Sequence, residues 1–142
     1  MHNETVVVVD DDSETREMFG LVLTAEGYQT TLCADAEDAY PLIRRAQPRL
    51  VVLDLIWGGP EVGWQMLLLL RRERRTADIP VLLCAGTDDF LCIRGRLVRM
   101  LHGTLLEKPF HLVDLLAEVE RALRPERMPE WDGGLRARML AG

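Results

Sequence analysis

The sequence predicts an α/β fold in which helices cover both faces of a doubly wound, five-stranded parallel sheet. Short, almost wholly apolar runs alternate along the chain with amphipathic stretches of helical length. Strands that are apolar throughout are typical of a parallel sheet that is buried on both faces. A chain of 142 residues is long enough for one domain of this kind, without disulfides or structural metals.

The N-terminal segment predicts a strand, a helix and a second strand. Thr5 to Val9 is a β-branched run, which favours a buried strand. A helix should follow to about Glu26, with Ser13 able to cap its first turn. Gly27 suits the end of that helix, and Gln29 to Ala34 forms the second strand.

The middle of the chain continues the alternation of helices and strands. Ala36 to Ala46 predicts a second helix, which Pro41 should weaken or kink because proline lacks the N–H of an interior turn. Leu50 to Ile56 is almost wholly apolar and predicts the third strand. A helix from about Gly63 to Arg74 is expected after a glycine-rich loop.

The C-terminal part supplies the last two strands and two helices. Ile79 to Cys84 predicts strand four, and Asp88 to Leu101 predicts the helix after it. Thr104 to Glu107 predicts strand five, and Leu112 to Leu123 predicts a strongly amphipathic final helix. The alternation of strand and helix therefore continues to the end of the domain.

Composition narrows the class of function. The net charge of −6 argues against a nucleic-acid-binding surface, and the basic run Arg71 to Arg75 is expected to cap the end of a helix. No apolar run is long enough to cross a membrane. The three cysteines lack the spacing of metal ligands, and we expect them to be small apolar residues or bystanders in a reducing cytoplasm. We expect a domain over residues 1–124 and a C-terminal tail over 125–142, with no output domain.

Acidic residues end two of the predicted strands. Asp10, Asp11 and Asp12 follow the valines of strand one, and Asp54 ends the apolar run Val51 to Leu53 of strand three. In an open sheet of order 2-1-3-4-5, strands one and three are neighbours, and ligands bind beyond their carboxyl ends. Lys108, the one lysine among 17 basic residues, follows strand five and should lie at the same edge.

These residue types suit phosphoryl transfer that depends on Mg²⁺. Carboxylates are the hard oxygen ligands that Mg²⁺ prefers, and an ammonium group can hold phosphate oxygens while another carboxylate attacks. Taken singly, the acidic cluster could also cap the next helix, and Asp54 could simply begin a loop. Only the combination favours one shared site.

The chain resembles the receiver domain of two-component response regulators, over about residues 4–124. The resemblance rests on four segments: Val6 to Ser13, Val51 to Leu55, Ile79 to Leu83, and Glu107 to Phe110. It implies a flavodoxin-like receiver fold. It also implies that Asp54 is the phosphoacceptor and that Lys108 pairs first with Asp54 and then with the phosphoryl group.

The resemblance implies a Mg²⁺ site and a special peptide bond as well. Its ligands would be Asp54, Asp11, Asp10 through water, and the backbone carbonyl of Ile56. The Lys108–Pro109 peptide is commonly cis in the family, and proline lowers the cost of that isomer.

The sequence departs from the family pattern at the switch positions. Ala85 stands where receivers carry a serine or threonine hydroxyl, and a one-residue gap would instead place Cys84 there. Thr87 could substitute only if its loop folds back. Leu105 replaces the tyrosine or phenylalanine that usually moves with the hydroxyl, and Gly58 stands where proline is common.

We therefore expect a single-domain receiver that accepts a phosphoryl group on Asp54 from a histidine kinase or phosphotransfer protein. It would catalyse only its own phosphorylation and dephosphorylation, and it would signal to a downstream protein by contact, by phosphorelay or as a homodimer. The alternative is an interaction module that works without phosphorylation. A phosphatase of the aspartyl-intermediate type is disfavoured because Ile56 occupies the position of its second acid.

Overall fold

The computed structural model describes residues 5–54, 60–85, 101–107 and 110–123. The strands are β1 (Thr5–Asp10), β2 (Gln29–Cys33), β3 (Leu50–Asp54), β4 (Val81–Ala85) and β5 (Gly103–Glu107). The helices of the described residues are α1 (Ser13–Ala25), α2 (Ala36–Ala46), α3 (Pro60–Arg72) and α4 (Leu112–Ala122). The helix predicted from Asp88 to Leu101 lies almost wholly outside the described residues.

All five strands form one parallel sheet in the order β2-β1-β3-β4-β5, which confirms the predicted fold class and topology. Successive strand residues point to opposite faces, so the sheet divides the core into two clusters. Val7, Val9 and Leu53 pack with residues of α2 and α3. Val8 and Val52 pack with residues of α1 and α4 on the other face.

The residue that caps helix α1 lies one position earlier in the sequence than predicted. The cap is Asp12, whose carboxylate accepts a hydrogen bond from the Thr15 amide at 3.0 Å, so the prediction that Ser13 caps the helix is wrong. An ionised carboxylate at this position also interacts favourably with the positive end of the helix dipole. The predicted helix exit is confirmed, because Gly27 has a φ of 95° and its N–H reaches the Thr24 carbonyl.

Helix α3 starts earlier than predicted, at Pro60 rather than Gly63. Proline suits the first turn of a helix, where its missing N–H costs nothing. Gly63 lies within the helix, where it allows close approach to β4: an added Cβ would sit 2.7 Å from a methyl carbon of Leu83. The glycine is therefore a packing residue rather than a helix start.

The basic run lies at the end of α3, as predicted, but Arg71 has a further role. It lies in the last turn of α3 but is 2% exposed, and its guanidinium donates to backbone carbonyls of other segments. Nη1 reaches the Ile79 carbonyl at 2.7 Å, and Nε reaches the Leu101 carbonyl. Arg71 thus connects α3 to the chain before β4 and before β5, whereas Arg72, Arg74 and Arg75 are exposed.

Candidate functional site

Two aspartates lie side by side at the carboxyl edge of the sheet. Asp10 and Asp54 are paired in register as the last residues of β1 and β3. Neighbouring strands are about 4.8 Å apart, and paired residues of parallel strands point to the same face. Asp10 is 0% exposed and Asp54 is 1% exposed, so both carboxylates are buried. The structure therefore brings together the two acids that the strand ends predicted.

The position of Asp10 is set by its own chain. The backbone amide of Asp12 donates to Oδ1 of Asp10 at 2.9 Å, which closes a short turn after β1. Nη1 of Arg16 donates to the main-chain carbonyl of Asp10 at 2.8 Å. These bonds hold the strand end and the first turn of α1 in a fixed relation.

The three consecutive aspartates have three different environments. Asp10 is buried beside Asp54, and Asp11 is half-buried as the next residue along the chain. Asp12 is exposed and caps α1, where its Oδ2 accepts from both the amide and the hydroxyl of Thr15. Only Asp12 therefore fits the helix-capping alternative.

The other side of the edge is formed by β4 and β5. Ala85 pairs in register with Glu107 at the ends of these strands, so Lys108 directly follows the residue opposite Ala85. Leu105 is half-buried and packs against the core on the α2–α3 face. Cys84 packs into the core on the α1–α4 face, which places its thiol among apolar side chains.

Several predicted site residues lie outside the described residues. These are Ile56, Gly58, Thr87, Lys108 and Pro109. The roles assigned to them, including the cis peptide at Pro109, remain predictions.

The acidic pair suits a hard cation, although the described residues do not form a closed cage. Two buried carboxylates on adjacent strands repel each other and lose hydration, so positive charge is needed beside them. Mg²⁺ takes one or two carboxylates and completes its shell with waters and phosphate oxygens. Within residues 5–54, 60–85, 101–107 and 110–123, no group of three acidic, histidine or cysteine side chains is close enough to hold a metal unaided.

Cys33 lies at the same edge, at the end of β2, and its thiol is a possible nucleophile. Its Sγ donates to the Asp35 carbonyl at 3.2 Å, and the side chain is 7% exposed. Burial raises the pKa of the Cys33 thiol, so it stays protonated at neutral pH. Cys33 is therefore a core residue.

The histidines do not add a catalytic group among the described residues. His111 is exposed and precedes α4, where its side chain makes no capping hydrogen bond. His102 is half-buried, and its main-chain carbonyl accepts a hydrogen bond from Nη2 of Arg71 at 3.4 Å.

Sequence reasoning missed two arginines that shape the molecule. Arg16 contacts the main chain of Asp10, and Arg71 is buried behind the sheet. Neither carries a local signal: Arg16 lies on an ordinary helix surface pattern, and Arg71 belongs to a run of similar residues.

Among the described residues, no helix is long and apolar enough to cross a membrane.

Comparison with known proteins gives a consistent result. The sequence model of the response regulator receiver domain matches residues 6–120. The chain is 32% identical over 129 residues to the DNA-binding dual master transcriptional regulator RpaA of Synechocystis, covering 88% of this chain and 52% of RpaA. It is 33% identical over 122 residues to the DNA-binding response regulator MtrA of Mycobacterium tuberculosis, covering 85% and 51%. The chain thus spans about half the length of these relatives.

Solved structures agree on the fold. The non-phosphorylated HemR receiver domain of Leptospira biflexa superposes with a TM-score of 0.74 at 23% identity, covering 91% of this chain and all of the HemR chain. At that identity the likeness concerns the fold alone.

Proposed function

The chain belongs to the response regulator receiver domain family, and on that basis we propose that it accepts a phosphoryl group on Asp54. The observation that carries the proposal is the buried, in-register pair of Asp10 and Asp54 at the carboxyl edge of the sheet. The donor would be a phosphohistidine on a histidine kinase or a phosphotransfer protein, as is general for response regulators.

The reaction is an in-line displacement at phosphorus. A carboxylate oxygen of Asp54 forms the new P–O bond while the P–N bond to the donor histidine breaks, and the electron pair of that bond returns to the imidazole. The product is an aspartyl phosphate, which water later hydrolyses. The chain would act only on its own phosphorylation state and not on a separate substrate.

Mg²⁺ is the cofactor that the donor set supports. Asp11 and Asp54 would bind it directly, Asp10 would bind through water, and the Ile56 carbonyl would complete the protein ligands. When bound, the cation neutralises negative charge that gathers on the phosphoryl oxygens. The main-chain contacts of Asp10 hold its carboxylate in place for this task.

Lys108 would hold the phosphoryl oxygens from the other side of the pocket. Its place one residue after Glu107, which pairs with Ala85, supports this role. A lysine provides a compact charge on a flexible stem, which suits a contact that changes partner from carboxylate to phosphate.

The switch should be muted, since Ala85 offers no hydroxyl to the phosphoryl group. A lost hydrogen bond to a charged oxygen costs about 1.5–3 kcal/mol. Leu105 packs into the core and has no ring to swing inward when the site is loaded. We infer that phosphorylation occurs but shifts the conformation less than in family members that carry both groups.

The downstream partner is proposed to be a protein, reached by direct contact, by phosphorelay or through a homodimer. RpaA and MtrA are named as DNA-binding proteins, but the chain covers only about half of each. The acidic net charge of −6 supports a receiver without a nucleic-acid surface of its own. A cytoplasmic location fits a partner of a kinase that uses ATP.

The test is incubation of the full chain with a small phosphodonor and Mg²⁺, followed by intact mass measurement. We expect a gain of one phosphoryl group that Asp54→Asn and chelation of Mg²⁺ abolish. Asp35→Asn is a matched control, because Asp35 is exposed beside α2 and makes no capping hydrogen bond. A gain that persists in Asp54→Asn would contradict the proposal.

The second candidate function is a binding module that ignores phosphorylation, and Ala85 with Leu105 favours it. It predicts equal partner affinity for the wild type with and without phosphodonor, and for Asp54→Asn. A change in affinity on phosphorylation would exclude it.

A further inference from the structure

A cavity lined by arginines lies at the edge of the sheet opposite the acidic pocket. It has a volume of about 330 Å³ and opens beside the residues that lead into β3 and β4. Arg49, Arg74 and Arg75 line it, together with Asp78 and an apolar wall that includes Pro80. We call this site the arginine cavity.

The arginine cavity is positively charged within an acidic chain. Three arginines face one aspartate, whereas the whole molecule carries a net charge of −6. The C-termini of α2 and α3 point to this end and add roughly one negative charge between them. The lining charge therefore stays positive after the helix dipoles are counted. Arg44 and Arg45 stand nearby in the last turn of α2.

The three guanidinium groups are available for a ligand. Arg49, Arg74 and Arg75 are exposed, and among the described residues no ion pair or side-chain hydrogen bond is found for them. An arginine fork matches two oxygens of a phosphate at once and forms short, charge-assisted hydrogen bonds. Three such groups around one hollow favour an anion with several phosphate oxygens over a single carboxylate.

The walls of the cavity are held by buried hydrogen bonds. Arg71, which is 2% exposed, donates to the Ile79 carbonyl at 2.7 Å. Thr76, which is fully buried, donates from its hydroxyl to the Leu70 carbonyl at 2.6 Å. The amide of Val51 donates to the Pro80 carbonyl at 3.0 Å, and the amide of Arg49 donates to the Thr5 carbonyl at 2.8 Å. These bonds fix the backbone of the walls before a ligand binds, so the ordering cost of binding falls on the exposed arginine side chains.

The arginine cavity is separate from the site of Asp54. The two lie at opposite ends of β3, whose five residues span roughly 16 Å. Its chemistry is also opposite, because it offers guanidinium donors where the acidic pocket offers carboxylate ligands. Nothing in the proposed phosphorylation of Asp54 uses it.

We propose that the arginine cavity binds a small phosphate-bearing anion, of the size of pyrophosphate or a nucleoside polyphosphate. The volume is at the lower end of ordinary small-molecule sites. The phosphates would bridge the exposed arginines, and an attached base or sugar would lie against the apolar wall.

The test is isothermal titration calorimetry of the full chain at low salt, with EDTA present so that no metal–phosphate complex can form. The probes are pyrophosphate, ATP and adenosine. We expect saturable binding of the phosphate-bearing probes and none of adenosine. Binding of ATP alone would identify a nucleoside phosphate as the ligand class, and binding of both would identify the phosphates as sufficient.

Two variants and two controls locate the binding. The double variant Arg74→Gln/Arg75→Gln and the single variant Arg49→Gln should each weaken binding by about tenfold or more, as expected for lost charge-assisted hydrogen bonds. Arg45→Gln, which removes a nearby charge that does not line the cavity, should change it less than threefold. Asp54→Asn should leave it unchanged, which separates this inference from the proposed function. Absence of binding, or binding that the cavity variants do not weaken, would overturn the proposal.

Discussion

At the scale of single residues, neighbouring aspartates of one sequence run have separate tasks. Asp10 is buried next to Asp54, Asp11 is half-buried, and Asp12 caps α1. The sequence could predict that acids gather at this edge, because strand ends are readable from the apolar runs. It could not predict which acid caps the helix, since that depends on where the chain turns after β1.

Because Asp12 caps α1, replacing it should lower the stability of the protein without preventing its phosphorylation. Asp12→Ala should lower the free energy of unfolding by about 1 kcal/mol, because the orphaned Thr15 amide loses its acceptor. Urea denaturation checks this, and Asp12→Asn serves as the conservative control with a smaller loss. The alanine variant should still be phosphorylated, and a complete loss of phosphorylation would mean that Asp12 belongs to the pocket.

Replacing Arg71 should lower the free energy of unfolding more than replacing Asp12, because Arg71 is buried. Arg71→Met should lower the free energy of unfolding by about 2–4 kcal/mol, since the Ile79 and Leu101 carbonyls would lose their donors. Arg74→Met, at an exposed position of the same run, should change stability by less than about 0.5 kcal/mol. Equal denaturation midpoints for the two variants would show that Arg71 is not the connection described above.

At the scale of elements, apolar runs predicted all five strands, because parallel strands that are buried on both faces leave a clear pattern. Their order was expected from the doubly wound fold class and is confirmed. The first residues of the helices were harder to predict from the sequence. Gly63 suggested a beginning for α3, yet it serves the packing of that helix against Leu83. Pro41 lies inside α2, between the buried residues Ala39 and Ile43, and its weakening effect on the helix stays a prediction. Tertiary packing thus explains the position of Gly63.

Two helical glycines provide a matched test of this packing. Gly20→Ala should raise the free energy of unfolding by about 0.5–1 kcal/mol, because alanine is the better helix former and the Leu32 methyl at 3.3 Å belongs to a side chain that is 40% exposed. Gly63→Ala should give no gain or a loss, since Leu83 is 3% exposed and must move. Thermal unfolding of both variants checks this. A comparable gain at both positions would contradict the close approach of α3 to β4.

At the scale of the whole molecule, the parallel sheet separates charge into two ends. Carboxylates collect where the strands end, and arginines collect where they begin. The helix dipoles match this arrangement, since the negative ends of α2 and α3 face the arginines. The acidic end could be predicted from sequence, because its residues follow recognisable strands. The basic end could not, because Arg49 and Arg75 are far apart in sequence and meet only through the fold.

We expect Asp10, Asp54 and Lys108 to share one pocket at the carboxyl edge of the sheet. A crystal structure of the full chain with Mg²⁺ and a beryllofluoride group in place of the phosphoryl group would show whether they do. The expected result is a cation bound between the Asp54 and Asp11 carboxylates, with Nζ of Lys108 in contact with the fluorides. A Lys108 amine turned away from Asp54, on another side of the molecule, would contradict it.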